Sequence, residues 1–380
     1  MRRVVALAAT VVLTLLPVAA CSDDKDSKPA EPEDQAALIS AVNEQLELDP
    51  DHNNLRAVLV HVDGKPVLEQ YYDWPADTYW DVESATNSIL SALVGIAIDE
   101  GDISGPEETL AELLPDHAAD MRPDMAGTTL RQVLTMTAGF AGLDRDRTPE
   151  YMADPDPVGS ILRAAPDPLG GGFEFSHQGA HVVSAVLAEA TGMSVLDYAR
   201  SRLFEPLGID TRPVFKAFLD AKDLDAYVAA DFAWPVDGSG LHLGWGRLRL
   251  RPADLAQFGQ LMLDGGKWKG EQLVPSDWVR ETTTEQVNTI SRRNQPNAAG
   301  KFGYMWWVTE ADGEPAYVAF GQGGQLLEVV PSRSLVVVVA SEIDYGASQS
   351  AGFSANVLTF LVDHVIAPAV APDAQGQPGE

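Results

Sequence analysis

Apolar and polar residues alternate at both ends of the chain and follow helical spacing in the middle. Ala57 to Val62 and Pro66 to Tyr72 are β-rich runs around Asp63-Gly64, the dipeptide best suited to a two-residue hairpin turn. Near the other end, Tyr304 to Val308, Tyr317 to Phe320, Leu326 to Val330 and Leu335 to Ala340 read as short strands, the last two joined by Pro331-Ser332-Arg333-Ser334. Between them the period lengthens. Helices are predicted over Ser88 to Asp99, Leu130 to Met136, Gly179 to Thr191, Val195 to Phe204, Pro252 to Leu263 and Pro275 to Thr283, with a last one from about Ala351 to Ile366. Strands from both termini with helices between them predict an α/β (α+β) fold: one antiparallel sheet flanked by helices, plus a mostly helical insertion over about 101–300.

The extreme N-terminus does not belong to that pattern. Arg2 and Arg3, an apolar stretch from Val4 to Leu16 and a small-residue end over residues 1–20 read as a signal peptide. Val18-Ala19-Ala20-Cys21 resembles a bacterial lipobox, which implies a diacylated Cys21, the chain's one cysteine, and anchorage to the outer face of the cell membrane. Residues 21–35, polar and twice interrupted by proline, are expected to be a tether, residues 36–368 the folded domain and residues 369–380 a disordered tail. Removing the leader takes two arginines from the 26 basic residues and none of the 56 acidic ones, moving the formal charge from −30 to −32. Such a surface repels nucleic acid.

The candidate chemistry starts at Ser84-Ala85-Thr86-Asn87, which opens a long apolar helix. Serine there has a common structural use as a helix cap. Further on, Phe173-Glu174-Phe175-Ser176-His177 leads into a helix, and Gln322-Gly323-Gly324-Gln325 precedes a strand. In order and spacing these three segments resemble the S-x-x-K, Y-x-N and K-T-G (or H-x-G) motifs of the serine β-lactamase-like superfamily, which includes class C β-lactamases, DD-peptidases and related esterases. The resemblance implies a β-lactamase/transpeptidase-like fold, Ser84 as nucleophile, an oxyanion site from the Ser84 and Gln325 N–H groups, Gln322, Gly323 and Gly324 along the binding strand, and no cofactor. It implies a small acyl, peptide or cell-wall-derived ligand.

The resemblance is broken where protons should move. Asn87 stands at the lysine position, and a carboxamide accepts no proton near neutral pH. Phe175 stands at the tyrosine position and relays none. Three readings follow: a hydrolase with a replacement base, a hydrolase rewired around Ser84 and His177 with Asn87 orienting the imidazole, or a binding protein that has kept the pocket. His177 and His181, four residues apart, share a helix face, but no third metal ligand at a suitable spacing accompanies them. His181 is expected to support the loop.

Overall fold

The computed structural model describes residues 32–47, 54–140, 153–164, 172–214, 224–289 and 300–343, with Tyr345, Val362 and Ile366. The leader, Cys21, the tail and, apart from Val362 and Ile366, the last predicted helix lie outside the described residues.

Twelve strands are described: β1 (Leu55–Val62), β2 (Lys65–Tyr71), β3 (Trp80–Asp81), β4 (Arg249–Leu250), β5 (Lys267–Trp268), β6 (Glu271–Gln272), β7 (Val287–Asn288), β8 (Lys301–Phe302), β9 (Trp307–Ala311), β10 (Glu314–Gly321), β11 (Gln325–Val330) and β12 (Leu335–Ser341). Eight form one sheet in the order β2-β1-β12-β11-β10-β9-β8-β7, with neighbouring strands antiparallel throughout. The N-terminal hairpin thus docks on the last strand, through pairs such as Leu59 with Val338 and Val60 with Val337. β11 and β12 are buried at every position, on both faces of the sheet's centre. Each of those buried valines and leucines contributes roughly 1.5–3 kcal/mol relative to an exposed one. The helix Pro252–Leu263 lies directly on the sheet: a Cβ at Gly259 would stand 2.5 Å from Leu327 Cδ1 and 2.7 Å from Val336 Cγ1. The helix Pro32–Glu47 buries Leu38 and Val42, and Tyr72 donates to Asn43 Oδ1 at 2.9 Å.

Several local expectations shift. The first helix opens at Pro32, inside the segment expected to be tether, since proline's fixed φ suits a first helical turn. The strand expected over Tyr304 to Val308 starts only at Trp307. Before it, Gly303 N donates to Trp306 O and Met305 is left-handed (φ 60°), so Tyr304, Met305 and Trp306 point into the core. The helix expected to run to Met136 ends at Leu134, with Met136 also left-handed (φ 57°). The stretch expected as a helix from Val195 loosens into a π-type turn over Arg200–Phe204. Within the largely helical middle of the chain, β4, β5, β6 and β7 are short strands that alternation over two residues cannot announce.

Candidate active site

Ser84 sits on a tight turn. β3 pairs with β4, Val82 N donates to Leu248 O at 2.9 Å, and the chain then turns through Glu83–Ala85 into the helix Thr86–Glu100. Glu83 is left-handed (φ 48°), a conformation that costs a non-glycine residue of order 1–3 kcal/mol and persists only where the surroundings impose it. Two surroundings do so. A Cβ at Gly246 would meet the Glu83 backbone at 3.3 Å, and one at Gly321 would stand 2.2 Å from Val82 O. The close approach of sheet to turn is therefore made by Gly321, at the end of β10. Gly323 (φ 81°) and Gly324 (φ 90°) instead supply the left-handed bend into β11, with Gln322 beginning that bend.

The half-buried Ser84 hydroxyl makes no helix-capping bond; it donates to the carbonyl oxygen of Trp245 at 3.3 Å. A backbone carbonyl orients a hydroxyl but cannot take its proton. Three residues on, in the first turn of the helix, Asn87 is 2% exposed, and neither Oδ1 nor Nδ2 has a hydrogen-bond partner among the described residues. Its neighbours on the helix are anchored: Ser88 Oγ donates to Met305 O at 2.7 Å, and Thr86 Oγ1 to Glu83 O at 2.7 Å.

Phe175 belongs to an aromatic wall. Its ring stacks on Trp307 (centroids 6.0 Å, 15°) and meets Phe302 and His177 edge-on, the latter at 5.9 Å. His177 is the first residue of the helix His177–Thr191, which Ser176 caps by accepting from Gly179 N at 3.1 Å. Among the described residues the partner of the Ser84 hydroxyl is Trp245 and not His177, so a Ser84–His177 hydrogen bond is absent from this arrangement. Gln325 is buried with its amide tied into the sheet, Nε2 donating to Ser341 O at 2.6 Å and Oε1 accepting from Ser341 N at 3.2 Å. The side chain is thereby committed to the sheet, and any role of Gln325 toward a ligand falls to its backbone N–H.

The structure also brings in residues that sequence reasoning missed. Arg247 Nη1 lies 3.0 Å from both Asp81 Oδ2 and Glu83 Oε1, and its guanidinium covers the Tyr345 ring, whose hydroxyl donates to Asp81 at 3.0 Å. Burial opposes the Arg247 charge, but Glu83 and Asp81 outweigh it and hold its pKa well above the usual value. The acids beside Ser84 are thereby committed to an ion pair. The second missed group is Asp237, whose Oδ2 lies 2.8 Å from Nε2 of His181, the histidine expected to support the loop, with both side chains fully buried. Asp237 engages that nitrogen, which removes His181 from any metal site shared with His177. The Asp-Gly-Ser-Gly turn at 237–240 marks a loop in the sequence, yet nothing links it to a histidine 56 positions away.

A family profile described as Beta-lactamase matches residues 56–357. This chain belongs to the beta-lactamase family. Among its relatives within that serine β-lactamase-like superfamily, it is 27% identical over 349 residues to a 6-aminohexanoate-dimer hydrolase of Paenarthrobacter ureafaciens, covering 86% of this chain and 82% of the hydrolase. It is 24% identical over 320 residues to penicillin-binding protein 4 of Amycolatopsis lactamdurans, covering 80% and 82%. In fold, this beta-lactamase-family chain is similar to a putative β-lactamase from Bacteroides dorei (TM-score 0.69, 18% identity, 88% and 98% covered). It is likewise similar to a class C β-lactamase from Rhodobacter sphaeroides (TM-score 0.61, 17% identity, 88% and 99% covered).

Proposed function

We propose that this chain is an extracytoplasmic, lipid-anchored member of the family that keeps the acyl pocket around Ser84 but has lost most or all of its acyl-hydrolase turnover, and now serves chiefly to bind. The observation that carries this reading is the buried amide of Asn87, unpartnered among the described residues, one turn from a hydroxyl whose proton rests on a carbonyl oxygen. Removing general-base help typically costs 10²–10⁴-fold in rate, and Phe175 offers no second route for the proton. The losses at 87 and 175 are mutually consistent. A lysine and a tyrosine that once bonded each other would leave a buried group unpaired, at about 1–3 kcal/mol, if only one were replaced. The ligand class follows from the relatives, whose names point to an amide of an amino acid and to a penicillin-type acyl compound. A peptide or cell-wall fragment meets both descriptions. The leader and Cys21 support the location.

The test is acylation. The mature protein is treated with a fluorophosphonate probe and with a penicillin, and Ser84 adducts are quantified by mass spectrometry beside Ser84→Ala, His177→Ala and the double variant Asn87→Lys/Phe175→Tyr. Labelling of the natural protein is expected to be slow and to rise about 10²–10⁴-fold in the double variant. Fast turnover by the natural protein would overturn the binding role. A second reading, rewiring around His177, draws on that ring's place at the first turn of its helix beside Phe175. It requires the Ser84 hydroxyl to leave Trp245, and it predicts labelling that vanishes in His177→Ala and is lost in acid, where an imidazole is protonated and accepts no proton.

A further inference from the structure

The buried His181–Asp237 pair takes no part in the function proposed above, yet it lies one short step from Ser84. A carboxylate can only accept, so His181 Nε2 carries the proton that bridges the 2.8 Å to Asp237 Oδ2. In the neutral imidazole the other nitrogen is then an acceptor, and it faces the Gly244 N–H at 3.4 Å. The neighbouring Trp245 ring rests against the imidazole, with centroids 4.7 Å apart. Trp245 also supplies the carbonyl that receives the Ser84 hydroxyl. Segment 244–246 has no room to drift: a Cβ at Gly244 would stand 2.1 Å from Ala180 O, and one at Gly246 would press on Glu83. The segment is threaded between the His177–Thr191 helix and the Ser84 turn.

Asp237 is built to keep its orientation. Its Oδ1 accepts from Ser239 N (2.8 Å), Ser239 Oγ (2.7 Å) and Leu241 N (3.0 Å), which leaves Oδ2 for the histidine. Burial works against its charge, but the bonds from His181 and Ser239 more than offset it, so its pKa stays below the ordinary carboxylate value.

We infer that Asp237 and His181 are positioning residues for Ser84: they fix the Gly244–Trp245 backbone, and through its carbonyl they set which way the Ser84 hydroxyl points. In this chain the wall of the pocket orients the nucleophile, a task for which Asn87 makes no bond. The inference rests on the reading of Ser84 as the reactive group of the pocket, but not on whether the pocket turns anything over.

Asp237→Asn is the deciding variant because it keeps the shape and changes one donor. The two backbone N–H groups at 239 and 241 hold the asparagine's oxygen where Oδ1 was, so its NH₂ faces His181 Nε2. The imidazole must then carry its proton on Nδ1, opposite the Gly244 N–H, and two donors meet where a donor met an acceptor. The expected result is threefold. The ¹⁵N spectrum of the folded protein shows the His181 proton moved to Nδ1, the crystal structure shows Ser84 Oγ out of hydrogen-bond range of Trp245 O, and fluorophosphonate labelling of Ser84 changes at least about 10-fold, as wrong-tautomer substitutions do elsewhere. His181→Gln, whose amide can donate to Asp237 and accept from Gly244, is expected to keep the hydroxyl in place.

A merely structural pair would lower the unfolding midpoint and leave Ser84 Oγ on the Trp245 carbonyl, and that outcome overturns the inference. Should Asp237→Asn fail to fold, His181→Phe is read in the same way, with the Ser84 oxygen position deciding. Because the readout is the position of an oxygen atom, rapid hydrolysis by the natural protein would sink the binding role without touching this result.

Discussion

Asn87 is a residue held at a cost. A buried carboxamide with neither end bonded among the described residues forfeits about 1–3 kcal/mol of desolvation, and asparagine in a helix interior is roughly 0.6 kcal/mol worse than alanine. Asn87→Ala returns both terms and opens a small void that takes part of the gain back. We expect the variant to be more stable than the natural protein by about 0.5–1.5 kcal/mol, measured by urea denaturation at constant m-value. A loss of stability would mean that the amide finds partners in solution. At this scale the side chains are legible in the sequence: serine, asparagine, phenylalanine and histidine at 84, 87, 175 and 177 stand in the order and spacing of the motifs. It was silent about Trp245, because the atom that matters there is a backbone oxygen and every residue has one. It was silent about the His181–Asp237 pairing for a different reason, since a separation of 56 positions carries no periodicity that brings two polar side chains together.

The helix that follows the Ser84 turn shows how an element is held. Thr86–Glu100 is buried almost all round, as expected for a helix apolar on every face, and it is registered by polar bonds within that packing. Ser91 Oγ pairs with Thr282 Oγ1 at 2.7 Å, and Trp278 Nε1 donates to Ser91 O at 2.8 Å. The indole can come that close because residue 95 is glycine: a Cβ there would stand 2.1 Å from Trp278 Cδ1. Gly95→Ala improves helix propensity by about 1 kcal/mol, yet rigid ring atoms must give way. Overpacking of this kind costs about 1–3 kcal/mol, occasionally more, so the variant is expected to melt at a lower temperature and to label at Ser84 differently as the helix shifts. Thermal unfolding followed by circular dichroism checks the first part, and a midpoint at or above that of the natural protein would refute it. Elements with a strong period, such as the β1–β2 hairpin and the helix Pro252–Leu263, were legible in the sequence almost to the residue. The segment Gly303 to Trp306 was not, because apolar residues in a buried turn carry the same hydropathy as a strand.

At the scale of the whole molecule, a sheet closed by both ends of the chain follows from strand patterns near the termini and helical ones between them, and β1 pairs with β12 accordingly. What such patterns cannot give is the acid response of the assembled fold, which depends on burial. His242 is 8% exposed, and its Nδ1 lies 2.7 Å from Trp234 O. Burial lowers its pKa from the ordinary histidine value despite that bond, and burial also lowers the pKa of His61 against the opposing pull of Glu69. The sign follows directly. The folded protein binds these protons more weakly than the unfolded chain does, so stability is fully present above about pH 6.5 and falls as the pH drops toward the lowered folded values. Asp237, whose pKa is also lowered, acts in a separate window below about pH 4, where the unfolded carboxylate takes up its proton first. Unfolding midpoints measured from pH 7.5 to pH 3.5 should therefore fall in two stages, the first amounting to a few degrees, roughly 2–4 °C per kcal/mol. His242→Asn keeps an N–H near Trp234 O but cannot titrate, so it should flatten the stage near pH 6 and leave the lower one unchanged. An unaltered upper stage in that variant would assign the response to His61 and deny His242 its part.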